Sequence, residues 1–199
     1  MRLLSAVFPL SLLLLVPACY VTPATIYEEI ETSKALFDVN PADIAVLPIE
    51  DATTHGSAAE ACGPIRDQIV RALVKRLYTP LSTRKVDEIL AAQEEVRTSV
   101  VDANWLSSVG GHFGEDATLA VRLTAWDPSK LMSSGWVSFG ADVALVTPQN
   151  AEPLWGGSFS GAIKAGGESP APFGRQGRQV AVAREFARHL AGFLPRRNP

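Results

Sequence analysis

Cysteine is scarce in this sequence. Cys19 and Cys62 are the two present, and Cys19 closes an apolar amino-terminal run, which leaves Cys62 without an internal disulfide partner. The folded part of the chain must therefore rely on its core rather than on cross-links. Beyond residue 18 no apolar run approaches the ~20 residues that a helix needs to cross ~30 Å of hydrocarbon. Strong net charge is lacking as well. The formal charge is −3, and a mildly acidic chain is a poor general binder of nucleic acid. There is no G-x-S-x-G nucleophile elbow, no cluster of His, Cys and carboxylates at metal-ligand spacing, and no internal repeat. These absences disfavour a disulfide scaffold, a helical membrane span in the mature chain, a nucleic-acid binder and the commonest hydrolase and metal-site designs.

What is present begins with an address. One positive charge at Arg2 precedes the apolar stretch Leu3 to Val16, and small residues follow, the order of a secretory signal. The stretch is short for a transmembrane helix, and Pro9 and Pro17 oppose a regular core helix. Val16-Pro17-Ala18-Cys19 resembles the bacterial lipobox, in which the cysteine is lipidated and becomes the mature amino terminus. Multiple acyl chains, at ~0.8 kcal/mol per buried methylene, make such an anchor stable. The sequence thus predicts a cleaved signal over 1–18, a lipid anchor and tether over 19–41, a single domain over 42–195 and a basic tail at 196–199. No cofactor is expected beyond the covalent lipid, palmitate among its acyl chains, on Cys19.

Along the domain, hydrophobic periodicity predicts the elements. Thr25 and Glu28 have capping-box spacing, and Ile26 and Ile30 fall on one helical face, which predicts a short helix there. Asp43 to Ile49 is a continuous apolar run, suited to a buried strand that leaves the sheet at Pro48. Ile65, Ile69, Leu73 and Leu77 recur every four residues, the stripe of an amphipathic helix. A short strand at YTPLS, a helix at STRKVDEILAAQ capped by Ser82 or Thr83, and a helix from Ala103 to Phe113 follow. TLAVRLTAW alternates as a strand, and GWVSFGADVALV and PLWGGSFSGAIKA flank a turn as a long hairpin. The last helix, Gln176 to Leu194, turns Val182, Phe186, Leu190 and Phe193 inward. The fold class is therefore α/β (α+β): a mixed β-sheet with a long antiparallel hairpin and helices packed mainly on one face.

The succession IAVLPIED, amphipathic helix, YTPLSTRKVDEIL, ATLAVRLTAWD and a hairpin with PLWGG resembles a group of bacterial envelope lipoproteins. The group comprises the curli-secretion lipoprotein, lipoprotein activators of penicillin-binding proteins, the TolB amino-terminal domain and related members of unassigned function, and the chain is most similar to the unassigned ones. The resemblance implies a mixed sheet carrying helices, and action by protein contact rather than by chemistry. By the rule for bacterial lipoproteins, Tyr20 after the cysteine, where Asp would retain the protein in the inner membrane, implies the outer membrane, facing the periplasm. The implied partners are the bacterial membrane, through the acylated end, and an unidentified envelope protein; a homo-oligomer is compatible with the sequence.

Four groups of residues are candidates for function. Arg175, Arg178, Arg184, Arg188, Arg196 and Arg197 face only Glu185 in the carboxy-terminal stretch, and Arg184 and Arg188 lie one turn apart on the outer face of the last helix. Such a basic element suits anionic headgroups or an acidic partner, against the plainer reading of a solvated helix face with a loose tail. Trp136 and Trp155, one from each hairpin strand, could form an aromatic contact patch or belong to the core. Glu50, Asp51 and His55 follow the first apolar strand, where open α/β sheets bind ligands, and carboxylates with His can hold a metal. Their placement in one consecutive loop favours a solvated connection. Cys62 shares the helical face of Ile65 and Ile69, which suits a small buried residue better than a nucleophile.

Overall fold

A computed structural model describes residues 26–92, 101–166, 172 and 174–198. The lipobox and Cys19 lie outside the described residues. Seven strands form one sheet in the order β1-β7-β6-β5-β2-β4, with β3 also paired to β5. Its centre is the alternating segment predicted from sequence: β6 (Trp136–Val146) lies between β5 (Ala117–Asp127) and β7 (Pro153–Lys164) and is antiparallel to both. On the other flank β2 (Asp43–Val46) pairs parallel with β5 and with β4 (Thr79–Pro80). Pro48 interrupts this strand rather than ending it. The chain rejoins β5 as β3 (Glu50–Asp51), held by amide bonds from Leu47 to Leu119 and from Ala52 to Leu123.

Alternation gives the sheet two faces. Val137, Phe139, Ala141, Val143 and Leu145 of β6 and Trp155, Phe159 and Ile163 of β7 are buried with Leu119, Val121 and Leu123 of β5. Helices α2 (Ala59–Lys75) and α5 (Arg175–Phe193) cover that face with Ile65, Ile69, Leu73, Val182, Phe186 and Leu190. Phe139, Phe159 and Phe186 meet with ring centroids 5.1–5.2 Å apart. A smaller core forms on the opposite face, where Ala45, Leu47 and Ala120 meet α3 (Thr83–Ala91) and α4 (Ala103–Val109) through Val86, Trp105, Leu106 and Val109. Towards β7 and β1 that second face carries no helix among the described residues.

Two expectations are corrected. The helix expected around Ile26 to Phe37 is instead strand β1 (Ile26–Thr32), antiparallel to β7, followed by the six-residue helix α1 (Lys34–Val39) capped by the Ser33 hydroxyl. A four-residue spacing also keeps Ile26 and Ile30 on one face of a strand, because four is an even number. Gly157 explains why a strand fits: its φ is 142°, and a Cβ there would collide with the Glu29 carbonyl. The second correction concerns the basic tail, expected to be loose. As far as Asn198 it is held down, with the Arg197 amide donating to the Arg76 carbonyl (3.1 Å) and the Asn40 side chain donating to the Asn198 carbonyl (2.9 Å).

Candidate interaction surface

The Glu50–His55 loop is built to start a helix. Asp51 accepts from the Thr53 amide and hydroxyl through one carboxylate oxygen and from the Ala58 amide, 3.1 Å away, through the other. It thereby satisfies an orphan N–H at the head of α2. Glu50 lies beside Arg122, its register partner on β5, with 3.5 Å between carboxylate and guanidinium. His55 is exposed in a single 3-10 turn (Thr54–Gly56) with φ 61° and joins neither carboxylate. The expected triad is therefore not brought together: one acid caps a helix, one pairs with a cation, and the histidine stands apart. No group of three potential metal ligands occurs among the described residues.

The acids of GGHFGED are likewise engaged by the chain itself. Buried Glu115 accepts from the Gly111 and Phe113 amides and the Thr118 hydroxyl, and Asp116 accepts from the Ala42 and Asp43 amides at 2.8 and 3.0 Å. Cys62 is half-buried and directs its thiol at the Ala58 carbonyl. Burial first, and the Asp51 charge second, push that thiol up to about 11, so it is a poor nucleophile at neutral pH.

The tryptophan patch does not form. Trp155 pairs with Leu145 at one end of the hairpin, is 1% exposed and belongs to the core, whereas Trp136 pairs with Lys164 at the other end. Counting outward from the turn in antiparallel register would have separated them.

On α5, Arg184 and Arg188 are both exposed, as expected. Arg188 donates to Glu185 at 2.8 Å and lies against His189. Burial, then the Arg188 charge, hold that imidazole below its usual range. Arg175 reaches Glu60, Arg178 binds the Leu131 and Met132 carbonyls, and Arg197 reaches the Asn40 carbonyl. Arg184 and Arg196 remain exposed with no ion pair among the described residues.

Sequence reasoning missed Arg66. It is 8% exposed, gives two hydrogen bonds to the Val46 carbonyl of β2, and grips Asp87 of α3 with Nη1 at 2.7 and 2.9 Å. The second sheet face, towards β7 and β1, carries a shallow groove of about 490 Å³ between Tyr27, Glu29, Gly140, Asp142, Ser158 and Ser160. Ser158 donates to Asp142 at 2.7 Å. Hydroxyls, glycine and acids line it, without a nucleophile–base pair.

No known protein family matches this sequence, and no curated protein does. By fold the chain is similar to lipoprotein GNA1162 from Neisseria meningitidis, at 21% identity and TM-score 0.47 over 75% of this chain and 99% of that one. It is also similar to PelC from Paraburkholderia phytofirmans, solved as a dodecamer, at 11% identity and TM-score 0.45 over 86% and 98% of the two chains. LpoB from Escherichia coli compares at 15% identity and TM-score 0.44 over 82% and 89%. One of these solved structures, GNA1162, is itself named a lipoprotein.

Proposed function

We propose that this chain is a lipid-anchored accessory or assembly protein of the cell envelope, held through Cys19 at the periplasmic face of the outer membrane. It acts by protein contact and not by catalysis. One observation carries the second half of this reading. Glu50, Asp51, Glu115 and Asp116, the acids best placed beside strand ends for ligand chemistry, are each engaged in the fold, by backbone and hydroxyl donors or, for Glu50, by Arg122. The anchored half is supported by the lipobox-like Val16-Pro17-Ala18-Cys19.

Cys19→Ala tests the anchor. The variant should lack the acyl mass on its amino-terminal peptide and leave the outer-membrane fraction, and an unchanged acyl mass and fraction would sink the assignment. In-cell crosslinking from the outer face of α5 tests contact. Capture of an envelope protein should survive Asp51→Asn combined with His55→Ala, since Asn still accepts from Ala58. Loss of function in that folded double variant would move the activity to the loop as a ligand site.

A further inference from the structure

Of the six large apolar side chains exposed among the described residues, Phe37 (58%), Val39 (47%), Val74 (57%) and Leu77 (37%) lie at one end of the domain. The carboxy termini of α1, α2 and α5 converge there, tied by Arg197 to Asn40 and Arg76, by Arg76 to the Gly192 carbonyl and by the Tyr78 hydroxyl to the Pro195 carbonyl at 2.8 Å.

Leu77 is the telling residue. Helix α2 ends in a Schellman motif: the Tyr78 amide bonds the Leu73 carbonyl (3.2 Å) and the Leu77 amide bonds the Val74 carbonyl (3.1 Å). The position between them needs a left-handed backbone, and Leu77 adopts φ 69°. Glycine meets that demand without a Cβ penalty, whereas leucine is strained there and still leaves 37% of its surface exposed. A strained leucine, 37% exposed at the end of the domain that also carries three other exposed apolar side chains, marks a contact surface. Lys75 and Arg196 flank it, exposed and without ion pairs among the described residues, while Asp38 is the one acid in the last turns of the three helices.

Chain length says which way this end faces, given the acylation of Cys19 proposed above. Strand β1 starts opposite Gly161 and runs towards Trp155, so it travels ~20 Å towards the apolar end, at ~3.4 Å per residue. Seven steps of at most ~3.6 Å separate Cys19 from Ile26. The bilayer therefore lies within easy reach of the Ile26 end. Laying the Leu77 end on it would take ~20 Å of the tether's ~25 Å contour in running back beside β1.

We infer that the Phe37–Val39–Val74–Leu77 end is a docking surface, turned away from the membrane, for a partner-protein segment that presents apolar side chains among carboxylates. The test uses the acylated full-length chain in vesicles of phosphatidylethanolamine and phosphatidylglycerol. Its probes are a synthetic amphipathic helix with leucine on one face and glutamate on the other, and the same helix with lysine for glutamate. The glutamate peptide should bind, more tightly at low salt, and the lysine peptide should not. Leu77→Gly should leave the domain folded yet weaken the glutamate peptide by about tenfold, as should Val74→Ser. Equal binding of both peptides, or binding indifferent to Leu77→Gly, overturns the surface. A fluorophore on Val74→Cys, in a Cys62→Ser background, should be unquenched by brominated lipid; quenching overturns it in favour of a membrane-facing end. An amino-terminal peptide without acyl mass removes the anchored reading and the orientation with it, while the peptide arms still decide the surface.

Discussion

Cys62 shows how a residue with chemical potential is kept inert. Its thiol sits at the first face of α2, hydrogen-bonded to Ala58 and half shielded. Its upward shift to about 11 has desolvation as the main cause. Below pH 9 the thiol is protonated in folded and unfolded chains alike. As the pH rises from the unfolded value towards the folded one, the unfolded chain loses its proton first, so folding loses stability across pH 9–11. Alkylation at pH 8 should accordingly be slower in the native protein than in the denatured one, on the order of 10- to 100-fold. Equal rates would mean an accessible thiolate. The residues that organise the fold by polar contacts are harder to read. Asp51 had a local signal, an acid followed by threonines and then a helix, which fits a capping turn as well as a ligand loop. Arg66 had none. On α2 it reads as one more solvated cation between apolar positions, and its partners, Val46 and Asp87, come from elements 20 and 21 residues away on either side.

Among elements, β5, β6, β7, α2 and α5 were legible because each buries one face along a run long enough to display its period. Strand β1 was not. Seven residues with apolar positions four apart satisfy a helix and a strand equally, and what decides between them is β7, far along the chain. The decisive contact there is glycine. Gly157→Ala should force β1 off its partner, at a cost of about 1–3 kcal/mol. Hydrogen exchange would report this as faster exchange over Ile26–Thr32, with β5 and β6 still protected. Retained protection in β1 would show that the edge tolerates the methyl group. The GGSFSG run, which invites comparison with a nucleotide loop, is thus a landing strip for an edge strand.

For the whole molecule, charge is distributed so that one stretch of α5 stays uncommitted. Glu60, Met132 and Asn40 engage the arginines at the two ends of the carboxy-terminal segment, and Arg184, exposed beside Arg188, has no ion pair among the described residues. Arg184→Glu with Arg188→Glu should change stability by no more than about 1 kcal/mol, since the half-exposed Arg188–Glu185 pair and the Arg188–His189 contact are lost. It should weaken association with the envelope partner, most at low ionic strength. Association that is unchanged at every salt concentration would reduce this face to solvated surface, and leave the apolar end of the domain as the contact.

The place of β1 in the sheet has a mechanical consequence. The strand enters at the Ile26 end and its seven residues pair in antiparallel register with β7 along their whole length. A pull between the amino-terminal tether and anything gripping the far end of the domain acts along the strand axis. All the β1–β7 hydrogen bonds then bear the tension together, in shear, instead of opening one at a time as they would if the strand were peeled sideways. An envelope protein tugged between a membrane and a partner would thus set the whole β1–β7 ladder against the load.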